Sequence, residues 1–172
     1  METNNTFTNE TAVSPALLTT EALLTHWQGH RALTRKVIEA FPEDAFYNFS
    51  IGGMRTFSLL TMEMIGLAAP GIRGIAFGDW TFGDPVLDHS TPPPSTKQEV
   101  LNLWDLVTEY INTLWPQIRP ERFEESEAAF GMYENTILNT IIYLIDNEIH
   151  HRGQGYVYLR ALGVEPPAFW DR

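Results

Sequence analysis

The sequence predicts an all-α protein, a four-helix bundle with a long connection between its second and third helices. Apolar residues recur at three- and four-residue steps through four segments, and two long Pro/Gly-rich or polar stretches separate them. No glycine-flanked alternating run indicates a sheet. At 172 residues the chain has room for one ordinary domain. The Thr/Asn-rich segment 1–14 reads as a flexible tail and 15–172 as a single bundle domain.

The first helix is expected from Leu18 to Phe41, with Leu23, Trp27, Thr34, Val37 and Phe41 on one stripe, Leu24 and Ile38 widening it, and Pro42 stopping it. The Gly pair of "PEDAFYNFSIGG" marks a turn, after which Thr56 can cap a second helix, "FSLLTMEMIGLA", with Phe57, Leu60, Met64 and Leu67 on one face. Pro70 and Gly71 are expected to end or kink that helix, with "IRGIAF" as a further turn. Residues 78–94, rich in Gly and Pro, form a connection long enough to join distant helix ends. Thr96 followed by Glu99 starts the third helix, whose apolar positions are Val100, Leu103, Leu106, Val107 and Ile111, and which should close near Pro116. After the variable stretch "RPERFEESEAAFGM", the fourth helix is expected from Glu134 to Leu162. Its stripe is read as Ile137, Ile141, Leu144, Ile145, Ile149 and Val157, and its stop as Gly163 with Pro166 and Pro167.

Composition narrows the function classes. The formal net charge of -11 argues against nucleic acid and anionic membranes as partners. The absence of cysteine removes disulfides, a thiolate nucleophile and Cys-ligated metal sites. No apolar run reaches the ~18 residues of a membrane span, and the first residues lack the basic and apolar blocks of a secretory signal, so a cytoplasmic location is inferred.

Candidate chemistry sits on the helices. His151 follows Asn147 by four residues, so both side chains point to one neighbour, and Gln154 and Tyr158 extend the strip. The pair could hold a cation, or could satisfy each other's hydrogen bonds. Glu63, between Met62 and Met64, either points to solvent or is buried and must be paired or bound to a cation. His26 and His30 have the same four-residue step but lack a local third ligand, and read as surface or helix packing. His89, Glu124, Glu125 and Asp146 read as solvated, with an Asp146–His150 ion pair possible by spacing. No phosphate-cradling glycine loop, nucleophile elbow or HExxH motif is present.

The stretch "HHRGQGYVYLRALGVEPP", 150–167, resembles the C-terminal signature of the DinB/YfiT-like superfamily of four-helix-bundle, metal-dependent proteins, and "RTFSLLTMEMIGL" resembles the start of that family's second helix. The resemblance extends over nearly the whole chain after residue 15. It implies a divalent metal held by one histidine on the second helix and a His-x-x-x-His pair on the fourth. Here the three positions carry Glu63, Asn147 and His151, so one histidine of three is kept. A carboxylate, an amide and an imidazole suit Mn or Mg better than Zn or Ni, and can equally bond to one another without an ion.

Two functions are therefore expected from the resemblance. One is a metal-dependent transferase, isomerase or hydrolase using a small-molecule thiol, with Glu63, Asn147 and His151 at the ion and Trp80 and Phe82 walling the substrate pocket. The other is a non-catalytic, metal-free bundle that binds a small ligand or dimerises; the family resemblance also implies a homodimer. Arg152 is expected to contact a helix end or a dimer partner, and Gln154 is left without a role.

Overall fold

The computed structural model describes residues 18–83 and 86–172; the expected tail, 1–14, lies outside them. Four long helices form the bundle: α1 (Thr20–Ala40), α3 (Phe57–Phe77), α4 (Lys97–Leu114) and α5 (Ile137–Ala161), with a short α2 (Glu43–Asn48) between the first two. Around the bundle, α1 packs on α4 and α5, and α3 packs on the same two, so α1 and α3 sit on one diagonal. The core is apolar and bulky, with Trp27, Trp104, Phe41, Phe46 and Phe57 almost fully buried.

Local chemistry sets the helix ends. Thr19 accepts a hydrogen bond from the Ala22 amide, Thr136 accepts one from Asn139, and Thr96 with Glu99 makes a complete capping box. Pro70 does not end the helix, and α3 runs through it and the expected "IRGIAF" extension to Phe77. Pro70 removes only the N–H that would bond the Gly66 carbonyl, and packing of its buried neighbours on α4 and α5 holds the helix across the gap. By length and composition α3 could cross a membrane, yet 72% of its apolar window is buried inside the bundle.

The structure adds a short helix and a hairpin to the four expected helices. The short α2 lies in the segment read only as a turn. The stretch 126–136, read as variable, is an antiparallel hairpin of β1 (Ser126–Ala129) and β2 (Tyr133–Thr136), with Ala129 opposite Tyr133. The last helix accordingly starts at Ile137, three residues after Glu134.

The buried face of α5 is also phased differently. Ile137, Ile141, Leu144 and Ile145 are buried as expected, whereas Ile149 and Val157 are 37% and 54% exposed. The buried stripe continues instead through Glu148, His151, Arg152 and Gly155 to Tyr158 and Leu159. On α4, Leu106 likewise faces out.

Candidate functional site

Glu63 lies in the second turn of α3, and Asn147 and His151 lie one turn apart on α5, so the α3–α5 packing brings the three side chains together. The His151 Nε2 to Glu63 Oε1 distance is 2.9 Å, Asn147 Nδ2 is 3.3 Å from the same oxygen, and Asn147 Nδ2 to His151 Nε2 is 3.2 Å. The other carboxylate oxygen, Oε2, pairs with Arg55 at 2.5 Å. Glu63 is half-buried and His151 buried.

These contacts fix the protonation pattern. Burial raises the Glu63 carboxyl, but hydrogen bonds from His151 and Arg55 outweigh it and leave the group below its ordinary range. Burial lowers the His151 imidazole more than Glu63 raises it, so the ring is neutral near pH 7. A neutral ring facing an ionised carboxylate donates Nε2–H to Glu63 Oε1. Asn147 donates its amino group to the same oxygen; turning the amide over would set carbonyl against carboxylate. His151 Nδ1 is then a bare nitrogen, buried and, among the described residues, with no hydrogen-bond partner.

Glu63 also opens onto a cavity of about 830 Å³ bounded by α3, the α3–α4 connection, the hairpin and α5. Its floor on α3 is a small-residue stripe: Gly66 and Pro70 line it, and Gly74 seats its wall. A Cβ at Gly66 would lie 2.2 Å from the Asp88 carbonyl, and one at Gly74 would lie 2.1 Å from the Trp80 indole. Bare backbone at these two positions lets the connection lie directly on the helix.

Trp80 is held from the other side. Its Nε1 donates to Glu127 Oε1 on β1 at 2.7 Å, and Glu127 pairs with Arg122. Arg122 in turn donates to the carbonyls of Ile75 and Gly74 at the end of α3, where the helix dipole favours a cation. One relay thus ties helix end, hairpin and indole together. Gly74→Ala is expected to push the tethered indole away and to cost about 1–3 kcal/mol, read as a lower midpoint in urea melts.

Trp80 lines the cavity, but Phe82 packs on Tyr110 of α4, with ring centroids 4.9 Å apart. His89 is exposed and also lines the cavity. His150 pairs with Gln154 at 2.8 Å, and among the described residues no ion pair joins it to Asp146. Glu125 pairs with Arg119 and Arg122. The Tyr158 hydroxyl donates to the Arg55 carbonyl at 2.8 Å, beside the Glu63 cluster.

Arg152 does not reach a helix end or the surface. It is buried, donating to the His30 carbonyl and Thr34 Oγ1 at 3.2 and 3.1 Å, with Nη2 2.8 Å from His30 Nδ1. His30 is therefore a packing residue, 4% exposed, while its neighbour His26 is exposed. Sequence reading missed the hairpin wall altogether. It also missed Arg55, whose place eight residues before Glu63 gives no helical signal because the helix starts at Phe57.

Among the described residues, no group of three His, Asp or Glu side chains is placed to hold a metal ion. A family model for the DinB family matches residues 76–171, more than half of the chain. Among solved structures, a DinB-like protein from Bacillus cereus shares 17% identity at a TM-score of 0.71, over 86% of this chain and 95% of that one. A DinB-like protein from Bacillus subtilis shares 18% identity at a TM-score of 0.66, over 87% and 99%. At such identities the likeness is one of fold. No curated protein matches the chain.

Proposed function

The chain belongs to the DinB family, and from that premise we propose that it is a metal-independent member that binds a small, largely apolar molecule in the cavity ending on Glu63. The observation that carries this reading is the state of His151. For Nε2 to ligate an ion, the ring proton must move to Nδ1, which is buried and, among the described residues, faces no acceptor. An orphaned N–H of that kind costs about 1–3 kcal/mol.

The other donors point the same way. The three polar atoms are 2.9–3.3 Å apart, a spacing that ligands of one ion also have, but the third corner is an amino group that donates. The single anion, Glu63, is already balanced by Arg55. One imidazole and one compensated carboxylate do not fit nickel or zinc, and the expected thiol-activating chemistry therefore plays no part in this proposal. Arg55, Asn147 and His151 act instead to hold Glu63 in one position, where it accepts a hydrogen bond from a ligand in the cavity.

Two measurements test the reading. Untagged protein stripped of metal and incubated with Mn, Ni or Zn should retain less than about 0.1 equivalent after gel filtration. Asn147→His, which supplies a second imidazole, should retain more Zn or Ni. Fluorescence of N-phenylnaphthylamine, a neutral apolar probe, should rise on mixing with wild-type protein and not with Leu67→Trp, which fills the cavity. Stoichiometric metal lost in His151→Ala would restore the metal-enzyme reading; failure of the probe to bind would remove the ligand site.

A further inference from the structure

Beyond containing apolar surface, the cavity has a marked charge and an aromatic corner. Trp80 and Phe130 both line it, their rings tilted by 56° with centroids 5.2 Å apart, so that they meet as two walls. Asp88 and Glu134 also line it, beside His89 and the Arg55-paired Glu63, and among the described residues no lysine or arginine does. Two hydrogen bonds from Ser90, at 2.8 and 2.7 Å, favour the ionised form of Asp88. Aromatic faces attract cations through the ring quadrupole, and the attraction grows where water is excluded.

The backbone at Phe130 supports a selected role for that ring. Phe130 has φ 55 and Gly131 φ 71, the φ pattern of a type I′ turn, in which Asn or Asp normally precedes Gly. A phenylalanine is a strained choice there, and among the described residues it is the sole non-glycine with positive φ. Such strain persists where the side chain serves a site. Phe130 reaches the cavity and stands against Trp80, the indole that Glu127 and Gly74 fix in place.

We propose that the cavity selects organic cations, such as a quaternary or protonated amine carrying an apolar group, with Trp80 and Phe130 forming the cation–π corner and Asp88 and Glu134 supplying charge complementarity. This rests on the ligand-binding reading above and names its ligand class. The overall charge of -11 would in addition concentrate cations near the protein.

The test is competition against bound N-phenylnaphthylamine by three ligands of similar size: benzyltrimethylammonium, benzyl alcohol and benzenesulfonate. The cation should displace the probe at a concentration about tenfold lower than the alcohol, and the sulfonate should compete least. Phe130→Leu, which keeps the apolar contact but removes the π face, should reduce the cation's advantage over the alcohol, both measured on the same variant, to about threefold or less. Urea melts of this variant check that it folds. If the probe binds but the alcohol or sulfonate displaces it as well as the cation does, the cation proposal fails and the ligand site stands. If the probe does not bind, both fail. An undiminished cation advantage in folded Phe130→Leu would remove the aromatic corner from the mechanism.

Discussion

Glu148→Ala is expected to lower folding stability by about 3–5 kcal/mol. Glu148 is 2% exposed and lies between two buried arginines of the core, Arg31 on α1 and Arg152 on α5. Its Oε2 is 3.6 Å from Arg31 Nη1 and its Oε1 is 4.0 Å from Arg152 Nη1, while Thr34 Oγ1 donates to Oε1 at 2.8 Å. Arg31 is fully buried, stacked 3.9 Å over the Trp104 ring, and burial already lowers its guanidinium to about 10 despite the pull of Glu148 and Asp105. Removing the carboxylate leaves two desolvated cations without their shared anion.

Truncation also leaves a hole, so charge and volume need separate variants. Glu148→Gln keeps the shape and an oxygen for Thr34, and should retain most of the loss if charge dominates. Adding Arg31→Met to Glu148→Leu removes an ion together with the anion, and should recover part of the stability that either single change loses. Chemical denaturation of the set at one pH decides it. A Glu148→Ala loss within about 1 kcal/mol would show that the cluster contributes little beyond packing.

That network shows what the sequence reveals and what it conceals. The four long helices were legible because each carries a run of apolar residues at helical spacing, and Thr96 with Glu99 marks the start of α4 without tertiary help. The face of α5 was legible only in its first half. Beyond Leu144 the buried positions hold Glu148, His151, Arg152 and Gly155, so a stripe built from apolar residues drifts outward to Ile149 and Val157. A signal did exist: Glu148 follows Leu144 by four residues and Arg31 follows Trp27 by four, which places opposite charges on two faces that must meet. The hairpin had no such signal. Its strands, SEAA and YENT, bury only Ala129, and four residues with one inward side chain cannot display a period of two.

The cluster of Glu63, Asn147 and His151 was legible as a convergence, because a family pattern set its positions and the α3–α5 packing brings them together. Its cavity was legible only in part. The Gly66–Pro70–Gly74 spacing marks a small-residue face on α3, but what covers that face, the Asp88 loop and Trp80, is decided by backbone contacts that no local pattern records.

Lowering pH from about 6.5 to 4 is expected to remove about 3 kcal/mol of stability through His30 alone. Burial, then the charges of Arg152, His26 and Arg172, bring this imidazole from its ordinary 6.5 down to about 4. Its Nδ1 faces Arg152 at 2.8 Å, and its Nε2 faces His26 at 3.2 Å and Arg172 at 2.9 Å. Between these two pKa values the unfolded chain takes up a proton that the folded protein refuses, so stability falls as pH falls through this window and levels off below it. His151, also lowered, adds loss in the same direction, and Glu63 adds more below its unfolded value. Glu148 opposes them: burial raises its carboxyl above the ordinary range, so it takes up its proton more readily in the folded state and gains stability on acidification. The wild-type slope is thus a sum of opposed titrations, and the diagnostic quantity is its difference from His30→Gln. Glutamine can accept from Arg152 but does not titrate, so the variant's urea-melt stability should fall less steeply than wild type between pH 6.5 and 4. Parallel profiles over that interval would show that His30 is not held neutral by its two guanidinium neighbours and its burial.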